Sequence, residues 1–179
     1  ETIKDFVWEI PGIHNVENAT VALAILHNLG ADFDTLKKAI ANFKGIKRRY
    51  TKHIYPNGKI YIDDYAHHPT ELAAAIGTVR ELYPGKRILG VFQPHLYSRT
   101  RDFADGFADS LSKLDELIML EIYPARELLI PGISSSMILD KCNSGSKQLV
   151  SKDRLATVVA ESSAEVVIML GAGDIDVLV

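Results

Sequence analysis

The sequence has little of several features that define specialised classes of protein. It contains one cysteine, Cys142, so an internal disulfide framework is excluded and a reducing compartment is expected. No apolar run approaches the roughly 18 residues that a membrane-spanning helix needs, and no charged-then-apolar leader begins the chain. The sequence therefore predicts a cytoplasmic protein with no membrane partner.

Charge and missing motifs exclude further classes. A net charge of −3 over 179 residues gives no signal for polyanion binding, so nucleic acid is not expected as the main partner. No G-x-x-x-x-G-K-[ST] loop occurs, which excludes a self-sufficient P-loop enzyme, and the absence of G-x-S-x-G argues against a serine hydrolase.

What the chain does contain is a change in the pattern of predicted helices and strands near residue 45. Before it, the pattern predicts a short strand over residues 6–10, a helix over Asn15–Leu29 and a second helix that begins after Asp34 as its N-cap. One strand and two helices cannot bury their own faces. Because the chain also opens with Glu1 rather than Met, we expect a fragment of a longer protein.

From Thr51 onward, strand and helix patterns alternate, with Asn57-Gly58 as a hairpin turn and Pro69 as the first residue of a helix. This alternation predicts an α/β fold, namely a doubly wound, mostly parallel Rossmann-like sheet with helices on both faces. The strands that follow the hairpin turn are expected at Lys59–Asp63, Arg87–Phe92, Glu116–Glu121, Gln148–Val150 and Val166–Leu170.

Dense polar sequence follows these strands. The first polar segment, Asp63–Glu71, reads Asp-Asp-Tyr-Ala-His-His-Pro-Thr-Glu, and the second polar segment, Gln93–Asp102, comes one βα unit later. Glu121–Glu127 and Gly171–Asp174 follow two further strands. Ligands of open α/β sheets bind beyond the carboxyl ends of the strands, so these four segments predict a single site.

The residues alone leave several interpretations open. Asp63 or Asp64 could cap the helix that follows, and the spacing of His67, His68 and Glu71 could ligate a divalent ion in a metal-dependent hydrolase. Arginines 99 and 101 lie at a predicted helix start. The helix dipole favours anions and disfavours cations at this position, so two arginines there indicate an anionic ligand. A substrate-holding domain of a larger enzyme and a non-catalytic nucleotide or amino-acid binding module both fit this pattern.

Several segments resemble the Mur ligase family of peptidoglycan synthesis, and within it the enzymes that join L-alanine to UDP-N-acetylmuramate. Both polar segments carry the resemblance, as do Tyr123–Glu127 and Gly171–Asp174. Ile13–Ala19 resembles the end of the family's central domain, and Gly45–Tyr50 resembles its linker. The resemblance implies that residues 1–45 are the incomplete C-terminal end of the central ATPase domain, a small helical remnant, and that residues 46–179 are the Mur ligase C-terminal domain.

The implied function is that of a C-terminal fragment of an ATP-dependent ligase of the cell wall, and hence of cell shape and division. ATP, L-alanine and UDP-N-acetylmuramate would be the substrates of the parent enzyme, with Mg²⁺ held mostly by residues outside this chain. The remaining ligase domains would be its partners. The family's glycine-rich ATP loop has no counterpart in this sequence, so the chain is expected to be inactive by itself.

The resemblance also implies roles for individual residues, none of them a metal ligand. Arg99 is the expected partner of the amino-acid carboxylate, and His67 is the one candidate for a catalytic base. Leu96 stands where the family usually has arginine, so one of two cationic contacts is absent. The expected ATP contacts are His14, Asn15, Asn18, Arg49 and Asp64, and the expected amino-acid contacts are Tyr65, His67, His95 and Arg99.

Overall fold

A computed structural model of the protein describes residues 6–177 and divides the chain into two compact units, residues 1–47 and residues 48–179. The first unit contains helix α1 (Ile13–Asn28) and helix α2 (Phe33–Asn42). Both helices lie close to their predicted positions.

The start of α2 differs from the prediction by two residues. Asp32, not Asp34, is the N-cap, since its backbone is extended (φ −77°, ψ 158°) and its carboxylate accepts the N–H of Thr35 at 2.9 Å. Asp34 lies in the first turn instead, where its negative charge interacts favourably with the helix dipole.

The predicted strand over residues 6–10 is wrong, because these residues form no strand. Trp8 stacks on Phe43 with ring centroids 5.9 Å apart, so this segment is held by side-chain packing rather than by strand pairing. Much of α1 is also uncovered within the described part of the chain. Its exposed apolar residues are Ile13, Val16, Val21, Ile25 and Leu26.

The second unit is built on a six-stranded sheet in the order β1-β2-β6-β3-β4-β5. All neighbouring strands are parallel except β1 and β2, which form the predicted antiparallel hairpin around Asn57-Gly58. The strands are β1 (Thr51–Ile54), β2 (Ile60–Asp64), β3 (Ile88–Phe92), β4 (Glu116–Met119), β5 (Ser146–Leu149) and β6 (Val166–Leu170). The mostly parallel sheet expected from the sequence is therefore confirmed.

Helices cover both faces of this sheet, as predicted. They are α3 (Pro69–Leu82), α4 (Tyr97–Leu111), α5 (Ser136–Lys141) and α6 (Lys152–Glu161). None of the helices among residues 6–177 combines the length and the apolar character that crossing a membrane requires.

Side chains of the central strands alternate between two separate hydrophobic cores, one on each face of the sheet. Phe92 and Ile168 belong to the buried cluster that contains residues of α3, α4 and α5, whereas Val91 and Val167 belong to the cluster that contains residues of α6. Successive side chains of a strand point to opposite faces, so one apolar run fills both cores.

The last strand, β6, lies between β2 and β3, and this order places the site. Asp64 of β2, Leu170 of β6 and Phe92 of β3 are in register, and Met119 of β4 pairs with Phe92. The four strands β2, β6, β3 and β4 therefore end next to one another at the same edge of the sheet, and the polar segments that follow them lie side by side.

Candidate functional site

Asp64, the last residue of β2, organises the backbone around the first polar segment. Its carboxylate accepts the N–H of Tyr50 at 3.0 Å and the N–H of Ala66 at 2.9 Å. Asp64 thus joins the segment before β1 to the loop after β2, and it does not cap the next helix. Its neighbour Asp63 has a carboxylate oxygen 3.6 Å from Nε of Arg48.

The helix that follows is started by the second half of the segment. His68 is the N-cap of α3, and Pro69 is its first residue, as predicted. Oε2 of Glu71 accepts the N–H groups of His67 and His68 at 2.9 and 3.1 Å, which completes a capping box.

This capping arrangement weakens the metal-site interpretation. His68 and Glu71 both serve the start of α3, so two of the three expected ligands already have a structural role. Across residues 6–177, no group of three or more histidine, cysteine, aspartate and glutamate side chains is placed to hold a metal ion. No described cluster supports the hydrolase alternative.

Four rings form a continuous row across the carboxyl ends of the strands. Tyr65 contacts His67 edge-on with centroids 5.2 Å apart, and His67 contacts His95 in the same way at 6.1 Å. His95 then stacks on Tyr123 at 5.7 Å with an interplanar angle of 17°. The structure therefore brings together three of the predicted amino-acid contacts and adds Tyr123, which lies in the predicted loop after β4.

Arg99 lies beside this ring row, one helical turn after His95. Its Nη1 is 3.3 Å from Nδ1 of His95. Because guanidinium can only donate, this contact favours the neutral imidazole whose Nδ1 accepts. Partial burial lowers the pKa of His95, and the positive charges of Arg99 and His67 lower it further, against a smaller opposing effect of Glu127. The site therefore combines a fixed cation with a neutral imidazole.

The first turn of α4 is occupied by a carboxylate of the same chain. Glu127 accepts the backbone N–H of Ser98 at 2.9 Å through Oε2, and Oγ of Ser98 donates to its other oxygen. These two hydrogen bonds lower the pKa of Glu127. Arg101, which the sequence placed beside an anionic ligand, is exposed and pairs with Asp102 at 2.7 Å.

Sequence reasoning missed the role of Glu127, although it marked the segment Glu121–Glu127 as part of the site. Glu127 lies two residues after Ala125, whose backbone is left-handed (φ 51°). Nothing in the local sequence indicated this role of Glu127. Leu96, the residue before α4, also has a left-handed backbone at φ 73°. Strain of this kind in non-glycine residues is concentrated at functional sites.

The segment before β1 presents Arg49 to solvent. Its two neighbours, Arg48 (φ 63°) and Tyr50 (φ 56°), both have left-handed backbones and are both held. Nη1 and Nη2 of Arg48 donate to the carbonyls of Gly173 and Gly171 at 2.9 and 2.6 Å. Tyr50 is buried, and burial raises the pKa of its phenol, with a smaller effect of the nearby tyrosine 83. The sequence identified Arg49 and missed the anchoring role of Arg48.

The remaining predicted ATP contacts lie in the first unit, at the start of α1. Asn15 is buried, and its amide Nδ2 donates to the carbonyl of Pro11 at 2.7 Å. Asn18 is exposed, and His14 is half-buried. His14 and Asn18 are four residues apart and therefore share a helix face, whereas the amide of Asn15 stabilises the helix start.

Similarity to known proteins is consistent over nearly the whole chain. The family described as Mur ligase, glutamate ligase domain, matches residues 48–175. The UDP-N-acetylmuramate–L-alanine ligase of Flavobacterium psychrophilum is 51% identical over 179 residues, which is 100% of this chain and 40% of that protein. The enzyme of the same name from Cytophaga hutchinsonii is 52% identical over 169 residues, covering 94% of this chain and 36% of that protein.

Solved structures show the same architecture. The UDP-N-acetylmuramate-alanine ligase of Thermotoga maritima superposes with a TM-score of 0.79 at 28% identity, over 98% of this chain and 38% of that one. A murein peptide ligase of Psychrobacter arcticus superposes with a TM-score of 0.72 at 23% identity, over 97% of this chain and 37% of that one, a likeness of fold alone. The chain spans about two-fifths of the length of the first of these curated relatives.

Proposed function

Because this chain belongs to the Mur ligase family, we propose that it is the C-terminal part of an ATP-dependent ligase that joins L-alanine to UDP-N-acetylmuramate in the cytoplasm. Curated relatives that bear this activity in their names, at about 50% identity, support the choice of amino acid and acceptor. The coverage of about two-fifths of those proteins supports the view that further ligase domains complete the enzyme.

The proposed domain boundary lies near residue 45. Residues 1–45 would be the end of the central ATPase domain, and residues 46–179 would be the C-terminal domain. A family match that begins at residue 48 and a division into compact units after residue 47 both support this boundary.

The observation that carries the proposal is the row of rings beside Arg99. An amino acid is a zwitterion, so a site for it needs a cation for the carboxylate and a neutral acceptor near the amine. Arg99 supplies the cation, His95 orients that guanidinium by accepting from it through Nδ1, and His67 is the candidate acceptor near the amine. Tyr65, His67 and His95 line the proposed position of the amino acid.

The proposed chemistry explains why such a site would need a base. The carboxylate of UDP-N-acetylmuramate takes the terminal phosphoryl group of ATP, which gives an acyl phosphate and ADP. The amine of L-alanine then attacks the acyl carbon, and the tetrahedral intermediate loses phosphate to leave the amide. The attacking amine must be uncharged, and His67 is the candidate base, since it stands in the ring row with its Nδ1 2.9 Å from the carbonyl of Tyr65.

ATP contacts form the second part of the proposal. Arg49 is suited to a phosphate contact because its anchored neighbours hold it in solvent, and Asp64 is suited to a fixed polar contact because two backbone N–H groups orient it. His14, Asn15 and Asn18 would contact the adenine side. Mg²⁺ would neutralise the phosphates in the parent enzyme through ligands that mostly lie in its other domains.

A phosphate-release assay tests the proposed activity. The complete ligase should release phosphate from ATP only when UDP-N-acetylmuramate and L-alanine are both present, whereas this chain alone should release none under the same conditions. Glycine and L-serine serve as amino-acid controls of similar size. Turnover by this chain alone would contradict the fragment proposal, and phosphate release by the complete ligase without L-alanine would contradict the proposed substrate.

A further inference from the structure

The glycine-rich loop at Gly171–Asp174 is held from two sides. On one side, the guanidinium of Arg48 donates to two of its carbonyls. On the other, both oxygens of Asp174 lie 2.7 Å from Nζ of Lys152, the first residue of α6, and Nε2 of Gln93 donates to one of them at 3.1 Å. Three elements distant in sequence therefore meet at this loop.

Each of these two attachments also reaches an end of the ring row. The guanidinium of Arg48 lies 5.1 Å from the ring centroid of Tyr65, and Nζ of Lys152 lies 5.6 Å from that of Tyr123. A cation within about 6 Å of an aromatic ring is attracted to its face. The two outer rings of the row are thus each in contact with a cation that also binds the loop.

Packing beneath Tyr123 leaves little freedom. Gln93 is fully buried, and a Cβ placed on Gly173 would collide with Oε1 of Gln93 and lie 2.9 Å from Cγ of Tyr123. The backbone of Tyr123 is fixed as well, since its N–H donates to the carbonyl of Pro94 at 2.8 Å and its own carbonyl accepts the N–H of Leu96 at 2.9 Å. Tyr123 is therefore held by the close packing of Gly173 against its ring and by the hydrogen bonds of its backbone.

We propose that Lys152, Asp174 and Gln93 are positioning residues that fix the ring of Tyr123 and, through its stacking, the imidazole of His95. The inference rests on the proposed function, because it assigns these residues to the amino-acid side of that same site. None of the three is proposed to touch the substrate. They act on the orientation of His95, on which the approach of the amino acid depends.

An ion pair elsewhere in the domain provides a matched control. Lys86 and Glu165 are also 2.7 Å apart, with side chains 42% and 50% exposed, against 41% and 43% for Lys152 and Asp174. Exposed pairs of this kind contribute little to stability. A purely structural role would therefore give similar effects on removal of either pair, whereas a positioning role would not.

The first test uses nuclear magnetic resonance on this chain and does not depend on activity. In Asp174→Asn, the ring resonances of His95 and Tyr123 should shift, because the ring current that each ring feels depends on their stacking. In Glu165→Gln, both sets of resonances should stay where they are. Unmoved His95 and Tyr123 signals in a folded Asp174→Asn variant would overturn the proposal.

The second test measures kinetics in the complete ligase. Asp174→Asn should raise KM for L-alanine roughly tenfold with a smaller change in kcat, since displacement of a positioned group by a fraction of an ångström has an effect of this order. Lys152→Arg keeps the charge and should retain most of the affinity, whereas Glu165→Gln should match the unmodified enzyme. Equal constants for Asp174→Asn and Glu165→Gln would overturn the proposal.

The two tests separate this inference from the proposed function. If the unmodified ligase does not use L-alanine, the proposed function fails, and the resonance test still decides whether Asp174 fixes His95. If Asp174→Asn does not fold, Lys152→Met removes the ion pair while the bond between Gln93 and Asp174 is retained. Unchanged ring resonances in that variant would count equally against the proposal.

Discussion

Both ends of the parallel sheet carry charged and polar side chains, but the contacts of these side chains differ between the two ends. At the amino ends, acids and bases pair directly: Arg80 with Asp115 at 2.8 Å, Lys86 with Glu165 at 2.7 Å, and Arg87 with Glu116 at 2.6 Å. The carboxyl ends also hold an ion pair, Lys152 with Asp174, but there four rings form a row, and Arg99 contacts an imidazole instead of a carboxylate.

We infer from this difference that the domain separates the residues that stabilise its fold from those that would bind a ligand. Charges that pair with each other at the amino ends satisfy one another and also hold backbone groups, as when Asp115 accepts the N–H of Ile88 at 2.8 Å. A guanidinium beside an imidazole is not neutralised by that contact and can still attract an anion. We therefore expect mutations at the amino ends to change stability and mutations at the carboxyl ends to change catalysis.

The largest effect is expected for Arg99→Ala in the complete ligase. Under the proposed function, the value of kcat/KM for L-alanine should fall about 100-fold, because the carboxylate of the amino acid would lose the charge-assisted contact proposed for Arg99. The control is Arg80→Ala at the amino ends, which should leave kcat/KM within about twofold of the unmodified enzyme. Similar losses in the two variants, measured by phosphate release, would remove the distinction between the two ends.

The next effect concerns stability at the amino ends. Asp115→Ala should lower the free energy of unfolding of this chain by about 1–2 kcal/mol, since the N–H of the buried strand residue Ile88 loses its acceptor. Urea denaturation followed by circular dichroism measures the change. Asp102→Ala, which removes an exposed pair with Arg101, is the control and should leave the transition midpoint unchanged. A midpoint for Asp115→Ala equal to that control would contradict the assignment.

A smaller effect is expected from the capping box, which lies at the carboxyl ends but serves the fold. Glu71→Ala should cost about 1 kcal/mol, because two backbone N–H groups lose their acceptor. Glu81→Ala in the last turn of the same helix should not lower stability, since an acid there opposes the helix dipole. Stoichiometric Zn²⁺ or Mn²⁺ that is retained by this chain and lost in Glu71→Ala would instead revive the metal-site interpretation.

The smallest effect is the pH dependence of stability through His95. Its folded pKa lies below the ordinary value of 6.5, so the unfolded chain binds more protons there, and stability falls as pH drops from above 6.5 toward the folded pKa. His95→Asn should remove this contribution, which solvent screening keeps below about 1 kcal/mol. Urea midpoints at pH 7.5 and 5.5 give the comparison. The same acid-induced loss in both proteins would show that His95 does not contribute.

Local signals in the sequence were sufficient for much of the fold. Pro69 marked the start of α3, Asn57-Gly58 marked the hairpin, and the apolar run at Val166–Leu170 gave β6 to the residue. Each of these signals depends on backbone preferences or burial within a few residues. The N-cap of α2 was misplaced by two residues because Asp32 and Asp34 are both good capping residues and only the backbone conformation distinguishes them.

Within the site, the sequence could identify the chemical groups but not the contacts between them. It placed Tyr65, His67, His95 and Arg99 at one edge, and the structure brings their side chains together. It could not assign a role to Arg48 or Lys152, because their partners lie 22 to 125 residues away in the chain. Local sequence carries no trace of such pairings, which depend on the order of the strands.

The position of β6 has a consequence for the order of folding. This strand pairs with both β2 and β3. The strand that lies between β2 and β3 is therefore missing until residues 166–170 have been synthesised. Pairings between residues so distant in sequence slow folding, because a long loop must close before they form. The loop that carries Gly171 and Asp174 directly follows this strand. During synthesis, the polar segments that follow the strands can therefore come together only after β6 has paired with β2 and β3.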